Sequence, residues 1–136
     1  MKVAVPYFYA ITIDPADIDH MAHVNNARYL AWVQDAVTSH WGSIAPPDAV
    51  RAYLWVALKH EITYHKPAFL NDLVIAKVLI ERVHGARAFY KTIIHRGEEL
   101  IVEVYSSWCC VDAGSRRPVR LSQHLVNLFL KSQYHT

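Results

Sequence analysis

The chain has little of what small proteins rely on when they cannot build a core. Its 136 residues include two cysteines, Cys109 and Cys110, adjacent in sequence. Neighbouring cysteines rarely pair, and neither stands in a CxxC or zinc-ligand spacing, so no disulfide framework or structural zinc is expected. Free thiols suit a reducing compartment. Glycine is scarce, and Gly42, Gly85, Gly97 and Gly114 all fall between patterned segments, as turn punctuation does. No Gly- or Ser-rich linker, internal repeat or low-complexity tract divides the chain. No apolar run approaches the roughly eighteen residues of a membrane span. Met1 to Ala10 lacks the apolar stretch of a secretory signal. Charge of one sign is never concentrated: Arg116, Arg117 and Arg120 come nearest, and a net charge of +2 does not call for a nucleic acid. These absences predict one cytoplasmic domain over residues 1–136, with neither nucleic acid nor membrane as partner.

What is present is apolar. Hydrophobic residues make up 53% of the chain and charged ones 19%, which argues against disorder. A chain of this length buries about two-thirds of its unfolded surface. The four Trp and eight Tyr supply rings for a core, a pocket or a subunit interface.

The segments read in order as follows. Phe8 to Ile13 is a short strand, ended by Asp14-Pro15 and followed by a loop to about Val24. From Asn26 to about Trp41 the spacing is helical, with Tyr29, Val33, Ala36, Val37 and His40 on one face. Leu30 and Trp32 widen that face, so the helix should be largely buried. Asn25 or Asn26 fits its N-cap and Gly42 its stop, with Pro46-Pro47 in the loop beyond. Four strands rich in Val, Ile, Tyr and Trp follow, over 55–64, 73–83, 88–95 and 100–111. Gly85 and Gly97 mark two hairpins. Ser122 fits the N-cap of a short helix ending near Lys131. The order predicts an α+β layer: an antiparallel sheet of about five strands wrapped around one long helix.

The loop before the helix carries the chemistry. Asp17, Asp19, His20, His23, Asn25 and Asn26 crowd just ahead of the helix start. There the positive end of the helix dipole and unpaired N–H groups can polarise a carbonyl and hold a developing oxyanion. A nearby carboxylate can activate water or attack directly. The same residue types are also ordinary caps and turn formers, and chemistry alone leaves both readings open.

This stretch resembles the Asp-x-Asp-x-x-Gly-His-Val-Asn-Asn-x-x-Tyr signature of hotdog-fold thioesterases related to 4-hydroxybenzoyl-CoA thioesterase. The resemblance continues through 29–36, through His60 to Ala68, and through Trp108 to Asp112 with Arg116-Arg117-Pro118. It implies a hotdog fold and hydrolysis of an acyl-CoA by a homodimer or homotetramer with sites at the subunit boundary; the lack of any ligand cluster or nucleotide fingerprint in the sequence predicts that neither metal nor organic cofactor is needed. It gives Asp19 the role of nucleophile or general base and His23 that of an assistant to the acid. The backbone N–H of Asn26 matches the group set against the thioester carbonyl, with Asn25 beside it, and Tyr29 orients the loop. Two residues depart from the pattern. Ala22 replaces the usual Gly, so the loop must turn without a positive φ there or carry strain. Gln34 stands where many members have an acid.

Other residues are candidates by type. Glu61 and His65, four apart on one predicted strand, share a face and would line the acyl pocket or form a cross-strand pair. Arg87 and Arg116, among the arginines at strand ends, could hold coenzyme A phosphates or be simply solvated. Histidines 20 and 23 lack a second pair at ligand spacing, so no metal site is expected. A non-catalytic acyl-thioester binding module is kept open by Ala22 and Gln34. A hotdog dehydratase acting on 3-hydroxyacyl thioesters finds no His-x-x-x-x-Pro pattern in the chain. The acyl group, and coenzyme A against acyl carrier protein, are not written in these residues.

Overall fold

The computed structural model describes the backbone of residues 2–132 and the side chains of residues 4–130. Strands β1 (Lys2–Ala4) and β2 (Tyr7–Ile11) lead through a 3-10 turn, Pro15–Asp17, to helix α1 (Asn26–Ile44). A short helix α2 (Pro47–Ala52) follows, then strands β3 (Tyr53–Tyr64), β4 (Val74–His84), β5 (Arg87–Arg96) and β6 (Glu99–Asp112). Helix α3 (Gln123–Leu128) and strand β7 (Leu130–Ser132) end the described chain.

Five antiparallel strands form one sheet in the order β2-β4-β5-β6-β3, curled around α1 in the predicted hotdog arrangement. The hairpins turn at Gly85 (φ +63°) and Gly97 (φ +58°), each first of two turn residues. A positive φ there costs glycine nothing and matches the twist of the strands. One row of each strand faces the helix. Val74, Ala76, Val78, Ala88, Tyr90, Thr92, Ile94, Val102, Val104 and Trp108 in these rows are all buried. Against them α1 sets Tyr29, Trp32, Val33, Ala36, Val37, His40 and Trp41.

Gly42 does not stop α1. The helix runs on to Ile44 because glycine inside a helix costs only about 1 kcal/mol. Pro46 ends it by forcing Ala45, at φ −90° and ψ 142°, out of the helical region. Pro47 then occupies the first position of α2, where a missing N–H costs nothing, so the expected loop is a helix. The first long strand spans only Tyr7–Ile11. At the other end Ser122 caps α3, its Oγ accepting from Leu125 N–H at 3.2 Å. That helix stops at Leu128, short of the expected Lys131, and the chain pairs with β1 as β7. Phe129, 3% exposed, is driven among Trp41, Trp55, His40 and Tyr90 at centroid distances of 5.7, 6.0, 6.1 and 6.5 Å. Burial, helped by Cys109, pushes the Cys110 thiol up to about 11, which marks it as a packing residue.

Candidate active site

The loop from Asp14 to Asn25 is built from its own side chains. Asp14 Oδ1 accepts from Ala16 N–H at 2.9 Å, and Asp17 Oδ2 accepts from Asp14 N–H at 2.8 Å, a reciprocal capping box. Asp17 is 5% exposed, and its other oxygen meets Arg28 Nε at 2.6 Å. Its carbonyl accepts from Asn25 N–H at 2.8 Å. Asp17 thus ties the loop's first turn to the first turn of α1, through Arg28, a partner that no motif singles out.

Asp19 begins a tight reversal that His23 closes. Asp19 N–H donates to His23 O at 2.9 Å, and Ala22 N–H donates to Asp19 O at 3.0 Å. The turn needs a left-handed residue, and Ala22 supplies it at φ +65°. The strain expected at this departure from glycine is therefore present, of the order of 1–2 kcal/mol for a residue bearing a Cβ. Asp19 Oδ1 accepts from Met21 N–H at 2.8 Å and lies 3.8 Å from His23 Nδ1. Both side chains stay partly solvent-accessible, 19% for Asp19 and 26% for His23.

The reversal delivers the chain to α1. Val24 N–H donates to Ala68 O at 2.8 Å, pinning the loop to the turn after β3. Asn25 is the N-cap: its Oδ1 accepts from Ala27 N–H at 2.9 Å and its carbonyl from Arg28 N–H at 2.9 Å. Asn26 N–H, the first of the helix, has no partner among the described residues. Beside it opens a cavity of about 190 Å³ lined by His23, Asn26, Tyr29, Tyr64, His65 and Lys66, among others. Tyr29 is buried and meets the rings of Trp32 and Tyr64 edge-on at 5.3 and 5.8 Å. Desolvation raises its phenol above the ordinary range, partly offset by the Ala68 backbone, so it stays a neutral wall. Tyr64 OH donates to Asn26 O at 3.2 Å and fixes the mouth of the cavity to the helix. The far wall is braced by Arg96, which meets Asp72 at 2.6 Å and Glu99 at 3.4 Å, and by Lys66 to Glu99 at 3.0 Å.

The other candidates do not all gather here. Asp19 reaches the cavity through His23 and does not line it. His65 lines it, but β3 ends at Tyr64, and the His65 N–H turns to Ile101 O at 2.8 Å. Glu61 points from the outer face of β3 into a separate groove with Lys59 and Tyr105. The shared face expected for Glu61 and His65 is thus lost, because the strand stops before the second of them. Arg87 pairs with Cys109, while Tyr64 at the cavity pairs with Val102. Seven residues of β6 separate those levels, about 23 Å at 3.3 Å each. Arg116, in the turn after β6 at φ +63°, lies at that same distal end. Neither arginine reaches the cavity of its own subunit. Gln34 and Asp35 face solvent from α1. Sequence reasoning missed Tyr64 and Lys66, whose signal was their place at the end of a strand that runs back to the helix start.

Residues 13–129 match the family described as the thioesterase-like superfamily. Long-chain acyl-CoA thioesterase FadM of Escherichia coli K12 is 24% identical over 115 residues, covering 79% of this chain and 85% of that protein. Among solved structures, a 1,4-dihydroxy-2-naphthoyl-CoA thioesterase, Slr0204 from Synechocystis, superposes with a TM-score of 0.77 at 18% identity, covering 92% of this chain and 96% of that one. A thioesterase from Thermus thermophilus, complexed with coenzyme A and Zn, gives 0.79 at 18% identity and 90% coverage of both chains. At these identities the solved structures show a shared fold. Among the described residues, no helix is long and apolar enough to cross a membrane.

Proposed function

Because the chain belongs to the thioesterase-like superfamily and is a thioester hydrolase, we propose that its substrate is an acyl-coenzyme A and that Asp19 is its catalytic carboxylate. The observation that carries this reading is the junction of loop and helix. An unpartnered Asn26 N–H at the positive end of α1 borders a cavity whose rim holds His23, with Asp19 3.8 Å behind it. A thioester carbonyl seated against Asn26 N–H gains hydrogen-bond and dipole stabilisation that grows as its oxygen becomes an anion. Asp19 then either takes a proton from a water that adds to the carbonyl carbon, or attacks that carbon itself to give an anhydride that water hydrolyses. In both, the C–S bond breaks, coenzyme A leaves as a thiolate that takes up a proton, and the free acid is released. His23 orients the carboxylate. Thiol release from acyl-CoAs of different chain length and aromaticity tests the reading, and absence of turnover on every one refutes it.

The assembly belongs to the same reading. Strand β3 is a sheet edge of twelve residues, and its outer row exposes Leu54, Val56 and Leu58 at 36%, 47% and 47%. Long apolar edges invite pairing. A second copy adding its β3 antiparallel across a two-fold axis gives a homodimer, or a homotetramer by a further contact. Such pairing sets the distal end of one subunit beside the cavity of the other. Arg87 and Arg116 of the partner subunit then come within range of the coenzyme A phosphates. Arg116→Ala should raise KM for an acyl-CoA while sparing the matching N-acetylcysteamine thioester, which has no phosphate. An equal effect on both would remove the arginine from phosphate binding.

A further inference from the structure

The cavity beside Asn26 has no acidic residue in its walls. Its polar groups are the Asn26 N–H, the imidazoles of His23 and His65, the Tyr64 hydroxyl and the Lys66 side chain. The Tyr64 hydroxyl is spent on Asn26 O at 3.2 Å. Asp19 lies 3.8 Å behind His23, so its negative charge stands on the loop side, while Lys66 enters from the turn after β3.

Lys66 is held by a bond that is easily given up. Its Nζ meets Glu99 Oε2 at 3.0 Å, but the two side chains are 53% and 48% exposed, and such surface pairs are weak. Glu99 does not depend on that bond. Arg96 reaches its other oxygen at 3.4 Å and is itself anchored on Asp72 at 2.6 Å. When Lys66 turns away, Glu99 keeps a cationic neighbour and no charge is stranded. The flexible four-carbon stem of lysine lets the ammonium swing. A cavity-lining cation with a replaceable partner suits an anion carried by the bound ligand.

The size of the cavity says which part of the ligand carries that anion. A sphere of 190 Å³ is about 7 Å across, or five to six carbon–carbon bonds at roughly 1.3 Å each. With the thioester carbonyl at Asn26 N–H, the nearest phosphorus of coenzyme A is about thirteen bonds from the sulfur, roughly 16 Å away when extended. That is too far for Lys66, whereas the end of a short acyl chain is not. We infer that Lys66 is a specificity-determining residue that reads a carboxylate at the far end of a short acyl chain. Thioesters of dicarboxylic acids of about five or six carbons are then preferred over uncharged acyl groups of equal length. The inference rests on the acyl-CoA reading above, with its carbonyl at Asn26.

The test compares glutaryl- and adipyl-CoA with pentanoyl- and hexanoyl-CoA, each corrected for hydrolysis without enzyme. For the wild type, the ratio of kcat/KM values should favour the dicarboxylic substrate roughly tenfold, the worth of one charge-assisted hydrogen bond in a partly exposed site. That ratio should fall as salt is raised. Lys66→Met should lose the preference, and Lys66→Arg, which keeps the charge, should retain most of it. Glu99→Gln, which removes the competing anion, should raise it about two- to fivefold. Taking the ratio within each variant cancels any general loss of activity. An equal loss on charged and uncharged acyl groups in Lys66→Met makes Lys66 part of the wall only and overturns the inference. The same ratios on N-acetylcysteamine thioesters, which have no phosphate, separate acyl carboxylate from coenzyme. The preference should persist there, and a Lys66 effect confined to coenzyme A substrates overturns the inference in favour of a phosphate contact. If no thioester is hydrolysed, the catalytic reading fails. Lys66 is then judged by calorimetry with non-hydrolysable thioether analogues of glutaryl- and pentanoyl-CoA. A carboxylate-dependent affinity lost in Lys66→Met supports the role, and equal affinities overturn it.

Discussion

Replacing each of two neighbouring carboxylates by its amide should separate catalysis from architecture. Asp17 is 5% exposed and accepts from Asp14 N–H at 2.8 Å and from Arg28 Nε at 2.6 Å. Asp17→Asn keeps one acceptor but loses the ionic bond. Removing a partner from a buried pair costs about 3–5 kcal/mol when the remaining charge is stranded in the interior. Arg28 is 45% exposed and can rehydrate, so the cost falls toward that of a charge-assisted hydrogen bond, about 1.5–3 kcal/mol. For a domain of this size that is a fall in Tm of about 5–12 °C. Asp19, in contrast, gives its Oδ1 to Met21 N–H at 2.8 Å, a bond that an amide oxygen reproduces. Asp19→Asn should shift Tm by no more than about 1–2 °C. Its kcat should fall by about 10²–10⁴, roughly 3–5 kcal/mol at 1.36 kcal/mol per tenfold, with KM nearly unchanged. Both variants are assayed on one acyl-CoA below their melting temperatures, with Tm measured in the same buffer. A dead Asp17→Asn beside a fully active Asp19→Asn would refute the assignment, and two active variants would place the chemistry elsewhere.

Other outcomes follow from single features. Ala22→Gly removes the strain of a Cβ at φ +65° but adds unfolded-state entropy, so its Tm should equal or slightly exceed wild type, while Ala22→Val should lose at least about 1 kcal/mol in a denaturant titration. His60 has a folded pKa below its ordinary 6.5, so the unfolded chain takes up the proton first. Stability is then full above pH 6.5 and declines as pH falls toward the folded pKa, and His60→Leu should flatten that slope in melts at successive pH values. Phe129→Ala should cost about 3–5 kcal/mol, read from the denaturation midpoint, because the ring is buried among four others. Among the described residues, no three His, Cys, Asp or Glu side chains converge as metal ligands. EDTA should therefore leave turnover unchanged, and loss restored by zinc or magnesium would overturn the proposed chemistry.

Periodicity and turn chemistry made most of the architecture legible. The stripe from Tyr29 to His40, the β-branched runs, and glycines 85 and 97 each point to one local structure. Where reading failed, a local rule met a stronger neighbour. Gly42 suggested a stop, yet the Ala45-Pro46 junction three residues on decides it. Pro47 suggested a loop, although proline suits the first position of a helix equally well. The site was legible as a motif and not as a geometry. That Asp17 is the buried brace depends on Arg28 one turn into α1. Glu61 parts from His65 because the strand ends between them.

The sheet order also governs how the chain comes off the ribosome. Helix α1 is complete at Ile44, but β4, β5 and β6, which bury it, are not finished until Asp112, 68 residues later (112 − 44). At about 5–20 residues per second, synthesis of that stretch takes roughly 3–14 seconds. Strand β3 emerges second among the long elements, yet its neighbour β6 is made last, so it too waits. Until β4 and β5 are complete at Arg96, Trp32, Val33, Val37 and Trp41 have no sheet to pack against, and the β6 wall reaches them last. The helix that shapes the site therefore stays an exposed apolar surface on the nascent chain until the sheet that buries it has formed.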